Sequence, residues 1–212
     1  MTQILLADDH AVVRRGVRAL LEAHGGFLIC GEASNGREAV EFAAQHQPAI
    51  VVLDISLPVL NGIDATRQIH KSAPGTEILI FTMHDSEDTI REALRAGARG
   101  CLLKSEADQQ IVPAVQALVR HRPFLSPQIA DLLFDAIAGQ RGLNSSHSPL
   151  TPREREIVQL IAEGHSNKKI AKITGISVKT VETHRAVSMR KLKVHSTAEL
   201  VRYAVRNKLI QA

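Results

Sequence analysis

Aromatic residues are scarce: in 212 residues there is no tryptophan, one tyrosine and five phenylalanines. So few rings make the stacking platforms of a single-stranded nucleic-acid binder a poor expectation. Cysteine is rarer still. Cys30 and Cys101, each in an apolar context, supply neither a disulfide framework nor a four-ligand zinc site, and both are read as buried thiols. The ten histidines are scattered, with no H-x3-H or CxxC pair among the residues. No stretch approaches the ~18 consecutive apolar residues of a membrane span. The opening Met1-Thr2-Gln3-Ile4-Leu5-Leu6-Ala7-Asp8-Asp9 meets two carboxylates before the apolar region of a signal peptide can form. A cytoplasmic protein with no membrane partner is expected. The 44% apolar and 23% charged residues exclude a disordered or collagen-like chain, and the length suits one or two domains.

Charge is spread unevenly. Residues 1–125 carry 12 basic and 15 acidic side chains, 126–148 carry 1 and 2, and 149–212 carry 13 and 5. A strongly basic last segment behind a mildly acidic first one points to a polyanionic partner, nucleic acid before others.

The first 120 residues alternate short apolar runs with helical patterns. Strands are expected over Ile4–Ala7, Phe27–Glu32, Ile50–Leu53, Ile78–Thr82 and Gly100–Leu103, each apolar enough to be buried on both faces. Helices are expected over Val12–Ala23, Arg37–Gln45, Ile63–Lys71, Glu87–Ala96 and Asp108–Val119, with glycine and proline marking the ends. This is an α/β class, a doubly wound (βα)5 parallel sheet with helices on both faces. A further helix is expected over Ser126–Ile137, then a flexible linker from Gly139 to Ser148. Thr151-Pro152-Arg153-Glu154 is a helix start, followed by helices over Asn167–Thr174, Val178–Leu192 and Thr197–Asn207. The domains are thus set at 1–123 and 149–212, with 124–148 as a helix-containing linker.

Asp8 and Asp9 follow the first strand and Asp54 the third, so adjacent parallel strands bring three carboxylates to one edge. Their repulsion calls for a divalent cation, and few, hard oxygen ligands favour Mg²⁺. The fourth strand ends in Thr82 and the fifth in Lys104, a hydroxyl and an ammonium at equivalent strand ends. Such a set suits attack of a carboxylate, Asp54, on a phosphoryl group whose charge is offset by metal and lysine.

Leu6-Ala7-Asp8-Asp9-His10, Val52-Leu53-Asp54-Ile55-Ser56-Leu57-Pro58 through Gly62, Thr82-Met83 and Gly100-Cys101-Leu102-Leu103-Lys104-Ser105 make residues 1–123 resemble a response-regulator receiver domain. The resemblance implies strand order 2-1-3-4-5 and phosphate uptake by Asp54 from a phosphohistidine of a sensor histidine kinase. It also implies Mg²⁺ on Asp9, Asp54 and the Ser56 carbonyl, with Asp8 acting through water and Thr82 and Lys104 contacting the phosphoryl group. Two positions depart from the wider pattern. Cys101 stands where many receivers carry the Tyr or Phe of an aromatic switch, so any movement of Thr82 has to pass through smaller side chains. Ser105 stands where many carry a proline after the lysine, often cis, which leaves the Lys104–Ser105 bond open. Ser56 and His84 are expected to overlook the phosphoryl group and tune its hydrolysis.

In the basic segment, Ile170 to Thr174, Gly175 and Ser177 to His184 read as helix, glycine turn and capped second helix, a helix-turn-helix signature. On the second helix Val178, Val181, Met189 and Leu192 form the expected buried stripe. Lys179, Glu182, Thr183, Ala186 and Arg190 lie on the adjacent stripe that would face the major groove. Thr180, His184 and Lys191 would reach phosphates, helped by Asn167, Lys168 and Lys172. A basic bundle docking on another protein is the bland alternative. Leu150 to Glu156, Gly164, Asn167 to Ala171 and Ser177 to Arg185 resemble the LuxR-type DNA-binding domain, and with the receiver in front the chain resembles a NarL/FixJ-type response regulator. The resemblance implies a four-helix domain that binds double-stranded DNA as a homodimer, with Thr197–Asn207 at the dimer contact. The expected protein is a phosphoacceptor regulator rather than an enzyme, with at most slow self-dephosphorylation. The alternatives are a Mg²⁺-dependent phosphatase of the haloacid-dehalogenase type, although Ser56 stands where those place a second aspartate, and a ligand-sensing LuxR-type activator, for which aromatics are too few.

Overall fold

A computed structural model describes residues 1–83, 86–138, 149–207 and 209–210, the side chains of 136–138 excepted. His84 and the linker expected at 139–148 therefore lie outside the described residues. The chain divides into two compact units, Met1–Leu57 with Gly62–Ser146, and Pro58–Asn61 with His147–Ala212.

The first unit is a parallel sheet of six strands: β1 (Thr2–Ala7), β2 (Phe27–Ala33), β3 (Ile50–Leu53), β4 (Glu77–Thr82), β5 (Gly100–Leu103) and β6 (Phe124–Leu125), in the order β2-β1-β3-β4-β5-β6. The five expected strands are present and in the order the resemblance implied. The expected count of five is corrected to six, because Phe124 and Leu125 pair in parallel with Gly100 and Cys101. The linker expected from residue 124 thus begins inside the sheet. Two residues are too few to show any periodicity, so only pairing reveals this strand.

Among the described residues six helices accompany the sheet: α1 (Ala11–His24), α2 (Gly36–His46), α3 (Gly62–Ser72), α4 (Glu87–Arg95), α5 (Ala107–Val119) and α6 (Pro127–Ala138). Val17 and Leu21 of α1 and Ile111, Ala114, Val115 and Leu118 of α5 pack with Ile4, Leu6, Val52, Leu79, Phe81 and Leu102 in one apolar core. Alternation along the strands turns Leu5, Val51, Ile78, Ile80 and Cys101, all fully buried, to the opposite face. Four-residue strands such as Ile50–Leu53 are buried at every position, which is why they read as unbroken apolar runs. Between β5 and α5, Lys104–Glu106 form a single 3₁₀ turn. The Lys104–Ser105 bond is trans, as are all peptide bonds among the described residues. Cys101 is buried as expected, but Cys30 is only half-buried, a correction: its place beside the register shift in edge strand β2 opens it on one side.

The second unit holds α7 (Pro152–Ala162), α8 (Asn167–Thr174), α9 (Val178–Leu192) and α10 (Thr197–Arg206). Thr151 and Glu154 form the expected capping box with Pro152 in the first turn, and Ser166, Ser177 and Ser196 each accept an N–H at the start of the following helix. The α8–α9 turn needs Gly175, whose φ of 68° is left-handed. Ile157, Val158, Leu160, Ile170, Val181, Leu200 and Ala204 form the core.

Candidate functional site

Strand register brings the carboxylates together. Ala7 pairs with Leu53, so the next residues, Asp8 and Asp54, leave neighbouring strand ends side by side, and the Asp54 N–H donates to the Ala7 carbonyl at 2.9 Å. Thr82 pairs with Leu103, which puts Lys104 one residue beyond. The Lys104 ammonium reaches back to both acids, 2.6 Å from Asp8 Oδ2 and 2.9 Å from Asp54 Oδ2. Asp8 is 4% exposed and Asp54 2%, so this is a buried three-charge cluster. The ammonium also lies 5.8 Å from the centre of the Phe81 ring, a cation–π contact the sequence did not suggest.

Burial pushes the Asp54 carboxyl above its ordinary value, against the attraction of Lys104 and with added repulsion from Asp8. Burial alone would lower the Lys104 ammonium, but Asp54 and Asp8 outweigh it and Lys104 stays above its ordinary value, firmly protonated. The Ser56 N–H donates to the Asp54 carboxylate. Thr82 is fully buried at the end of β4.

Asp9 is exposed, and its Oδ1 lies 2.7 Å from His10 Nδ1. Candidate ligand atoms of Asp8, Asp9 and His10 all lie within 4.8 Å of one another. The expected trio of Asp8, Asp9 and Asp54 is therefore present in two linked parts, with His10 beside Asp9 and Lys104 joining Asp8 to Asp54. Two buried carboxylates sharing one ammonium, with a third at the rim, form an oxygen-rich anionic donor set that fits a hard divalent cation. Two further residues, neither of them among the expected site residues, pack on this site. Gly62 packs its Cα against the backbone of Asp54 and Ile55. Arg14 Nη1 donates to the Asp8 carbonyl at 2.6 Å.

In the second unit, Lys179, Thr180, Glu182, Thr183, Ala186 and Arg190 of α9 are exposed, as are Lys168 and Lys172 of α8, while His184 and Asn167 are half-buried. Two expectations change. Val178 is exposed, because at the first position of α9 it lies off the buried line that runs through Val181 and Ser188. Lys191, expected at a phosphate, places its ammonium 2.7 Å from Glu154 Oε2 of α7. Burial alone would raise the Glu154 carboxyl, but Lys191 and the Thr151 N–H and hydroxyl hold it below the usual range.

Comparison with known proteins agrees with this division. Residues 4–116 match the family of response regulator receiver domains, and residues 148–204 match the luxR family of bacterial regulatory proteins. The oxygen regulatory protein NreC of Staphylococcus carnosus is 40% identical over 214 residues, covering 98% of this chain and 99% of NreC. The structure of RcsB from Salmonella enterica serovar Typhimurium, bound to promoter rprA in the presence of the phosphomimetic BeF3−, superposes with a TM-score of 0.63 at 26% identity, covering 95% of this chain and 97% of that one. A structure of two RcsB dimers bound to two parallel DNAs gives 0.61 at 26% identity, covering 95% and 97%. A receiver sheet followed by a LuxR-type helix-turn-helix defines a transcription-regulating response regulator rather than an enzyme of the ordinary kind. The chain belongs to that family, and within it to the NarL/FixJ type of two-component regulator. The receiver match takes the place of both the phosphatase and the ligand-sensing alternatives.

Proposed function

We propose that this regulator takes a phosphoryl group from the phosphohistidine of a sensor histidine kinase onto Asp54 and, so modified, binds promoter DNA as a homodimer through α9. The observation that carries the first half is the Lys104 ammonium shared between Asp8 and Asp54 at 2.6 and 2.9 Å. A carboxylate oxygen of Asp54 attacks phosphorus; the O–P bond forms as the N–P bond of the phosphohistidine breaks, and the electron pair leaves with the imidazole. Lys104 then trades its contact with Asp54 for one with a phosphoryl oxygen, and the Thr82 hydroxyl takes a second. Asp9, Asp54 and the Ser56 carbonyl would hold Mg²⁺, with Asp8 acting through water. Bound there, the ion would neutralise charge on the carboxylates and the transferring oxygens. Without the kinase the acyl phosphate is lost by hydrolysis, slowly at most. The cell compartment is the cytoplasm.

DNA binding rests on the exposed α9 stripe and on RcsB, which is solved on DNA as dimers. Lys179, Glu182, Thr183, Ala186 and Arg190 face base edges, while Thr180, His184, Asn167 and Lys172 reach phosphates. α10 forms the dimer contact. The test is paired. Asp54→Asn incubated with acetyl phosphate is expected to show no shifted band on a Phos-tag gel where the parent chain shifts, and an equal shift overturns the assignment. Lys179→Ala is expected to weaken promoter binding by fluorescence anisotropy and to flatten its salt dependence by about one counterion; unchanged affinity and slope overturn that contact.

A further inference from the structure

The loop that carries Asp8 and Asp9 is held at its main chain from the end of β2. The Asp8 N–H donates to the Ala33 carbonyl at 3.1 Å, and the Asp8 carbonyl accepts from Arg14 Nη1 at 2.6 Å. Arg14 does not reach there unsupported. Its Nε donates to Glu32 Oε2 at 2.7 Å, and Glu32 is the residue just before Ala33. The other oxygen of Glu32 accepts from Arg18, at 3.1 Å from Nε and 2.7 Å from Nη2. The two arginines hold the Glu32 carboxyl below its usual range. Asp8 Oδ1 is taken by the His10 N–H at 2.8 Å, which leaves Oδ2 facing Lys104.

Placing several carboxylates together is costly in the absence of a counter-charge. A loop free to move would relieve that repulsion by spreading the acids apart, and each cation taken up would then have to gather them again. With the Asp8 N–H tied to Ala33 of β2 and its carbonyl to Arg14 of α1, itself braced on Glu32 of β2, folding meets that cost once. We infer that Arg14 is a positioning residue for the divalent-cation site, and that Glu32 aims it. The inference rests on the reading of Asp8 and Asp9 as cation-binding acids.

Geometry and bare charge make opposite demands, which makes the idea testable. Arg14 is itself cationic, so a purely electrostatic role would have its removal tighten cation binding. A positioning role has its removal weaken binding, and partners that orient metal ligands cost about 10- to 100-fold in affinity when lost. A lysine at position 14 keeps the charge but lacks the planar fork that spans Glu32 and the Asp8 carbonyl together.

The experiment is isothermal titration of the full chain with magnesium chloride, without any phosphodonor, with circular dichroism melting curves on each variant. Arg14→Ala is expected to raise the dissociation constant for Mg²⁺ about tenfold or more, Arg14→Lys to fall between it and the parent, and Arg18→Ala, which leaves the Asp8 contact in place, to stay within about twofold. Arg14→Ala binding as tightly as the parent or tighter overturns the inference and leaves the cation site standing. Equal weakening by Arg18→Ala also overturns it, since any disturbance of Glu32 would then suffice. If Arg14→Ala fails to fold, Arg14→Lys decides, and parental affinity in that folded variant is fatal to the idea. A parent chain that takes up no Mg²⁺ instead removes the reading of the acids on which this rests.

Discussion

Gly62 stands against Asp54 so closely that a β-carbon on Gly62 would lie 2.0 Å from the Asp54 carbonyl oxygen and 2.8 Å from its carbonyl carbon. The obstacle is backbone rather than a side-chain tip, so it cannot be turned aside. The Gly62 N–H meanwhile donates to the Ile55 carbonyl at 2.8 Å, which ties the start of α3 to the segment leaving β3. The absence of a side chain at 62 therefore lets the start of α3 close onto the main chain that carries Asp54.

Gly62→Ala is expected to destabilise the first unit by about 1–3 kcal/mol, the usual cost of forcing atoms into packed space, and to slow phosphate uptake by Asp54. Chemical denaturation of the full chain checks the first effect and the rate of acetyl-phosphate labelling the second. Parental stability with a parental labelling rate would mean that the loop yields freely.

The same contact marks what a sequence can and cannot disclose. Asp8, Asp54, Thr82 and Lys104 were legible because each directly follows, or ends, an unbroken apolar run, and strand ends in a parallel sheet converge by topology alone. Gly62 carries no such mark: a glycine opening a helix is ordinary until the strand behind it is in place. Arg14 lies beside Arg15 in an arginine pair of the first helix, and only the fold shows that one of them turns to Glu32. Lys191 belongs to a basic helix where any lysine suits a phosphate, so its pairing with Glu154, 37 residues away in sequence, emerges only when α9 crosses α7. Angle alone puts Val178 with the core stripe, and a first-turn residue can satisfy the angle while lying beyond the helix that would cover it.

The two thiols should separate cleanly. Cys101 is buried in β5 and its pKa is pushed up to about 12, whereas Cys30 is half-buried with its Sγ 3.4 Å from the Ile4 carbonyl. In native protein a thiolate-reactive reagent such as DTNB is expected to titrate Cys30 slowly and Cys101 only after unfolding. The sign of the pH effect follows from the raised value. An unfolded Cys101 ionises near its ordinary 9.0, so the neutral thiol's contribution to stability is complete below that pH and is lost as pH climbs toward about 12. Cys101→Ala should remove that part of the alkaline loss, and an unchanged stability curve above pH 9.0 would contradict it.

Lys191 and Glu154 join α9 to α7, with the ammonium 2.7–2.8 Å from both carboxylate oxygens. Because the folded Glu154 carboxyl lies below its ordinary 4.5, the bond's stabilisation is complete above that pH and fades as pH falls through the lower folded value. Lys191→Gln is expected to weaken the second unit and to reduce its loss of stability in acid, while leaving the salt dependence of DNA binding unchanged. That last outcome separates a structural lysine from a phosphate-contacting one, whose loss would lower the slope by about one.

Helix α6 carries a cap borrowed from elsewhere in the chain. Its first residue, Pro127, has no N–H to offer, so the first free donor is that of Gln128, 3.4 Å from Glu106 Oε1; the Ser126 hydroxyl donates to Glu106 Oε2. Glu106 closes the 3₁₀ turn that Lys104 opens, so the turn at the acidic site and the start of α6 share a residue. A carboxylate at a helix start also meets the positive end of the helix dipole. Glu106→Gln removes the charge and keeps the shape, while Ser126→Ala removes the hydroxyl. Each is expected to cost about 0.5–2 kcal/mol, as lost caps do. Because α6 packs on α4 and β5 and its Ile129 is fully buried, the loss should remain local. Hydrogen exchange of the α6 amides should then quicken by roughly two- to thirtyfold in either variant, with the amides of α1 unchanged as an internal reference. Unchanged exchange in α6 would show that packing against α4 and β5 holds the helix without the Glu106 cap.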